Sequence, residues 1–126
     1  MSVSSHSPFA DTVLLLFKHS LREQQGELAR AMDKAQKEIR AIADSGPGDV
    51  VDDSRDNASK EAVFASYSQS RTQLRKVELA LDRISAGEFG VCAACDGAIS
   101  LKRLQALPWA SKCIECQEQS EQSRIH

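Results

Sequence analysis

Apolar residues return at helical intervals through the first third of the chain. Leu14, Phe17, Leu21, Leu28, Met32, Ala35, Ile39 and Ile42 fall along one stripe, with a polar gap at Gln24 and Gln25. Ser7-Pro8 reads as the start, because serine can cap and proline is tolerated in a first helical turn. From there to Ala43 no proline intervenes, and Gly26 is the only glycine. Asp44-Ser45-Gly46-Pro47-Gly48 forbids continuation. A second helix should begin between Asp49 and Ser59. Its seam is more regular: Val63, Tyr67, Ser70, Leu74, Val77, Leu81 and Ile84 alternate steps of four and three, a heptad pattern that stops at Ser85-Ala86-Gly87. Two helices of similar length joined by a short breaker predict an antiparallel hairpin, each arm roughly 45–50 Å long. The stripes themselves are packing surfaces. Two helices do not make a globule, so the hairpin is expected to project as a coiled coil from the remainder of the chain.

That remainder holds all four cysteines. Cys92-Ala93-Ala94-Cys95 and Cys113-Ile114-Glu115-Cys116 are two Cys-x-x-Cys turns, each able to aim both sulfurs at one point. The spacing suits a tetrahedral site for one structural Zn²⁺ on Cys92, Cys95, Cys113 and Cys116. Asp96-Gly97 after the first pair should let the backbone curl so that amides face the thiolates. Two disulfides, a rubredoxin-like iron centre and buried free thiols are the competing readings; a four-cysteine set suits iron as well as zinc. Four thiolates close the coordination shell, so the metal is structural and no catalytic residues are assigned. Phe89, Val91, Ile99, Leu101, Leu104, Leu107, Trp109 and Ile114 are the candidate core here. So small a core leans on its metal, which contributes on the order of 10–16 kcal/mol in comparable peptides. Gln117–Arg124 is polar and helix-compatible, a short C-terminal helix. The whole is all-α, with residues 1–86 forming an N-terminal segment and hairpin, and 87–126 the cysteine module.

Charge narrows the function. The formal net charge is −2, and thiolates on zinc would lower it. From Gly87 onward Lys102, Arg103, Lys112 and Arg124 face Glu88, Asp96, Glu115, Glu118 and Glu121. A finger that grips phosphates carries the opposite balance, so direct sequence-specific DNA binding is not expected. The apolar run Val13–Phe17 is too short for a signal or a membrane span. With reduced cysteines, this points to the cytoplasm. His6, His19 and His126 are isolated, there is no nucleophile elbow or phosphate-cradling loop, and nothing supports an enzyme.

The hairpin's loop end, about residues 44–58, is acidic: Asp44, Asp49, Asp52, Asp53 and Asp56, with Arg55 the only cation before Lys60. Aspartates near a helix N-terminus cap free N–H groups, each worth about 0.3–1 kcal/mol. Capping needs one or two. The surplus on a stiff stalk could approach a divalent cation or basic groups in a partner's cavity.

Taken together, the coil with its acidic end, Phe89-Gly90-Val91-Cys92-Ala93-Ala94-Cys95-Asp96-Gly97, and Arg103-Leu104-Gln105-Ala106-Leu107-Pro108 before Cys113-Ile114-Glu115-Cys116 resemble the DksA/TraR family. The likeness runs from about Asp49 to Cys116, and on it the chain is expected to lack most of the extra N-terminal segment of full-length members. It implies a regulator that binds RNA polymerase, inserting its coil into the secondary channel with tip aspartates near the catalytic centre. The family's tip motif, Asp-x-x-Asp-x-Ala, falls on Asp49, Asp52 and Ser54 when counted without gaps from the first cysteine. A literal match lies one turn later at Asp53, Asp56 and Ala58. Some members form a site for the alarmone ppGpp together with polymerase. Its positions align with Gln69, Gln73, Lys76, Leu107 and Gln117, of which only Lys76 keeps a phosphate-pairing charge; a TraR-like mode without the nucleotide is the other reading. A monomer that binds neither DNA nor membrane is expected. The alternatives are a DNA-binding finger and a structural zinc adaptor for another protein.

Overall fold

The computed structural model describes residues 7–44 and 53–125. Within them lie four helices, α1 (Asp11–Asp44), α2 (Asp53–Ala86), α3 (Leu101–Ala106) and α4 (Ile114–Ile125). Among the described residues there is no strand, only an isolated antiparallel bridge between Val91 and Ala98. The all-α hairpin with a cysteine module and a short C-terminal helix is the fold observed. α3 is an addition that the sequence pattern did not announce. Asp49 and Asp52 lie outside the described residues, whereas Asp53, Ser54, Asp56 and Ala58 belong to the opening turns of α2.

Packing divides the chain into two compact units. One is Gln24–Arg75; the other comprises the chain up to Glu23 and from Lys76 onward. On α1 the division falls at the polar gap of Gln24 and Gln25.

In Gln24–Arg75 the two helices meet along the expected stripes. Leu28, Met32, Ile39 and Ile42 of α1 and Val63, Tyr67, Ser70 and Leu74 of α2 are half-buried, and Ala35 is buried. A two-helix layer leaves each seam residue one flank in water, which is why so few of them are sealed. Gln36 Nε2 donates to the Tyr67 hydroxyl at 3.3 Å across the seam. Lys37 and Asp33, one turn apart on the outer face, pair at 3.2 Å.

The other unit has a deeper interior. Leu21, Val77, Phe89, Ile99 and Leu104 are at most 2% exposed, and Ala80 is 3% exposed. α1 begins at Asp11, later than Ser7-Pro8 suggested. The Ser7 N–H donates to the Gly87 carbonyl at 2.9 Å, and the Ser7 hydroxyl accepts the Phe9 N–H at 3.4 Å. Those bonds hold the segment outside the helix, and the first helical bond runs from the Leu14 N–H to the Ala10 carbonyl at 3.0 Å. Phe9 then joins a three-ring cluster. Its centroid is 6.3 Å from Phe17 and 6.3 Å from Phe89, and Phe17 and Phe89 are 5.0 Å apart. Gly90 lies under the Phe9 ring at φ 87°; a Cβ there would stand 2.4 Å from Phe9 Cε2.

α2 ends as its Ser-Ala-Gly signal predicts. Gly87 takes φ 75°, its N–H bonds the Ile84 carbonyl at 3.2 Å, and the Glu88 N–H bonds the Arg83 carbonyl at 2.8 Å. This paired closure is the Schellman motif, which satisfies carbonyls that a helix end otherwise leaves free.

Candidate metal centre

The first cysteine turn is a small closed loop. The Ile99 N–H donates to the Gly90 carbonyl at 2.8 Å, and the Cys92 N–H to the Gly97 carbonyl at 2.7 Å. Inside it the Ala94 N–H points at Cys92 Sγ (3.4 Å) and the Gly97 N–H at Cys95 Sγ (3.4 Å). The amides thus face the sulfurs as expected, but the left-handed residue is Asp96, at φ 61°, and not Gly97. Aspartate tolerates that conformation. Gly97 gives closeness instead, since a Cβ would sit a tight 3.3 Å from Cys95 Sγ.

The second turn is set by helices. Ser100 caps α3, its hydroxyl accepting the Arg103 N–H at 3.1 Å, and Leu104 plugs the interior at 0% exposure. The Leu107 and Ala110 N–H groups turn the chain back through bonds to the Arg103 and Leu107 carbonyls (2.7 and 2.9 Å). Cys113 precedes α4 and Cys116 lies in its first turn. The Ala93 N–H donates to the Ser111 carbonyl at 2.8 Å, tying one cysteine turn to the approach of the other.

All four Sγ atoms lie within 4.8 Å of one another, and Cys95 and Cys113 sulfurs are 3.9 Å apart. A tetrahedron with Zn–S bonds of about 2.3 Å has edges of about 3.8 Å, so the donor set fits. Disulfides do not fit: all four thiols are free, and an S–S bond of about 2.05 Å would need the sulfurs much closer. Electrostatics of the free thiols suits a shared cation. Burial opposes ionisation of Cys92, but N–H groups of Cys113, Cys95 and Ala94 outweigh it and lower its pKa to about 6. The Gly97 N–H and the Cys116 thiol favour a Cys95 thiolate, yet Cys92 foremost, then burial and Cys113, hold its pKa up. Cys116 is pushed up to about 12, first by its hydrogen bond with Cys113 and then by burial. One thiolate thus forms readily and resists the next until a dication neutralises them.

The predicted core is met in part. Phe89, Ile99 and Leu104 are buried, and Val91 and Trp109 are half-buried. Leu101, Leu107 and Ile114 are instead 43%, 36% and 56% exposed, because a module this small has interior for few side chains. Of the positions aligned with an alarmone site, Gln69, Lys76 and Leu107 are exposed, and Gln73 and Gln117 half-buried. The Gln117 amide donates to the Glu121 carboxylate at 3.2 Å. The sequence gives no sign of the roles of two arginines. Arg83, the basic residue of α2's last turn, donates to the carbonyls of Glu88 (3.2 Å) and Val91; Arg103 Nε donates to the Lys112 carbonyl at 3.0 Å. A cation near a helix C-terminus is unremarkable in a sequence, and carbonyl targets carry no sequence signal. Among the described residues no helix is long and apolar enough to cross a membrane.

Comparison with known proteins agrees with this geometry. Residues 87–122 match the prokaryotic dksA/traR C4-type zinc finger. The RNA polymerase-binding transcription factor DksA of Buchnera aphidicola is 34% identical over 70 residues, 52% of this chain and 46% of that protein. DksA of Salmonella typhimurium is 28% identical over 109 residues, 83% of this chain and 69% of its own length. The match thus takes in less than half of the Buchnera relative. The structure of transcription factor DksA2 from Pseudomonas aeruginosa superposes with a TM-score of 0.78 at 26% identity, covering 92% of this chain and 88% of that one. With its cysteines placed for one structural zinc, residues 87–122 are a dksA/traR C4-type zinc finger, and the chain with its paired long helices is similar to DksA proteins over most of its length.

Proposed function

We propose that the chain binds RNA polymerase and regulates transcription initiation, its coiled coil entering the secondary channel with the acidic tip leading. One observation carries this reading: a C4 finger joined in one chain to two 34-residue helices, a combination matched over 92% of its length by a transcription factor. Its relatives bear the name RNA polymerase-binding transcription factor, which also speaks against an enzyme. Residues 1–86 supply the hairpin, and 87–126 the zinc-held module. The finger lacks the basic surplus that phosphate contacts demand, so the polymerase and not the promoter is the partner.

In this reading Asp49 and Asp52, with Ser54, form the tip, because that register needs no deletion in a heptad-spaced coil. Asp53, Asp56 and Ala58 are the second register. Carboxylates there would act on the polymerase's catalytic divalent cation or its basic surroundings. With Lys76 the single basic group at the aligned alarmone positions, the protein works without strong help from ppGpp, as a cytoplasmic monomer.

The test is transcription in vitro with purified polymerase, scored with and without ppGpp and in competition with a known secondary-channel factor. Changing Asp49→Asn and Asp52→Asn together should leave zinc content, helicity and polymerase affinity near those of the parent and abolish regulation. Regulation that survives this pair and fails with Asp53→Asn and Asp56→Asn would move the tip one turn. A chain that ignores polymerase, or binds duplex DNA with steep salt dependence in its absence, would overturn the proposal.

A further inference from the structure

Each cysteine turn is entered through a residue whose carbonyl is taken by a guanidinium. Val91, ahead of Cys92, gives its carbonyl to Arg83; Lys112, ahead of Cys113, gives its own to Arg103. The first of these ties is the more consequential, because Arg83 belongs to the last turn of α2. One of its Nη atoms also takes the Glu88 carbonyl at 3.2 Å, and the other faces the Glu88 carboxylate at 3.9 Å. Glu88 is itself the closing residue of the Schellman motif, bonded through its N–H to the Arg83 carbonyl, and its carbonyl accepts the Val91 N–H at 3.1 Å. The Arg83 side chain is only 21% exposed, so it is packed in place.

We infer that Arg83 is a positioning residue for the zinc site, coupling occupancy of Cys92 to closure of the α2 C-terminus. Nη2 donates to both carbonyls while Nη1 faces the Glu88 carboxylate, and the rigid guanidinium plane fixes all three directions together, which a lysine ammonium on a flexible stem does not reproduce. Fixing the Val91 peptide fixes where Cys92 starts, and with it the loop whose amides face two of the sulfurs. The influence runs both ways: a metal that orders Cys92 must order Val91, Arg83 and the end of α2 to the same degree.

The test measures zinc affinity by chelator competition on the full chain, with helicity followed alongside. Arg83→Gln and Arg83→Lys should each weaken zinc binding about tenfold or more, the usual scale for groups that orient metal ligands. Glu88→Gln, which removes the ion pair and keeps the carbonyl, should leave affinity unchanged. Parent-like affinity in Arg83→Gln, or full rescue by Arg83→Lys, would overturn the inference. The parent protein gives a second readout that does not depend on a variant folding. Chelating its zinc should speed hydrogen exchange at the Gly87 and Glu88 amides and collapse the protected Arg83 side-chain N–H signals. Exchange and signals unchanged by metal removal would equally refute the coupling.

Discussion

The two compact units spend their apolar residues differently. Gln24–Arg75 builds a long seam, yet among the described residues only Ala35 of the buried core belongs to it. The other unit buries Leu21, Val77, Ala80, Phe89, Cys92, Ile99 and Leu104. A two-helix layer can repeat a modest contact over many turns but cannot enclose anything. A three-ring cluster, a capped helix end and a folded cysteine turn seal a small set of side chains from water. Stability in the first is spread thin along its length; in the second it is concentrated in a few groups.

The sharpest way to break the contrast is at a ligand. Cys113→Ser should remove zinc and unfold the finger, a loss on the order of the metal's 10–16 kcal/mol. Helicity of Gln24–Arg75 should mostly persist by circular dichroism, and stoichiometric zinc in that variant would refute the four-cysteine assignment. Next comes Phe89→Ala, expected to cost about 3–5 kcal/mol in denaturant melts because the side chain is sealed among Phe9 and Phe17. Acidity should act on the same unit. At neutral pH the Cys92 thiol, with a pKa of about 6, is already ionised, whereas those of Cys95 and Cys116 are held up and protonated. Zinc must displace at least those two protons, so affinity should rise at least about a hundredfold per pH unit near neutrality, two tenfold steps or more. Competition titrations at two pH values would measure it. The mildest effect belongs to the seam: Leu74→Ala, half-buried, should cost about 1–2 kcal/mol. A loss matching that of Phe89→Ala would erase the distinction between the units.

Much of this was legible in the sequence, and for physical reasons. Helical spacing is a local property, so every residue named on the two stripes, from Leu14 to Ile42 and Val63 to Ile84, is at least half-buried. Paired Cys-x-x-Cys turns state their own ligand set. What stayed hidden depends on contacts between residues remote in the chain. The cluster of Phe9, Phe17 and Phe89 is one such case, and the seat of Phe9 on Gly90 is another. Arg83's grip on carbonyls is invisible because any peptide offers the same acceptor. The start of α1 was misplaced for a related reason: Ser7 serves Gly87, a commitment that no capping rule anticipates.

That last bond and the ring beside it bear on where this protein could be cut. The stretch recognisable as a finger by likeness begins at residue 87, but two walls of its aromatic pocket, Phe9 and Phe17, are supplied from the opposite terminus. An excised finger would carry Phe89 with an oily face bared to solvent, and clumping is the natural fate of such a surface. Minimal versions of the metal-binding module should therefore be made by grafting residues 7–23 back onto it through a linker, and not by trimming to the homologous core.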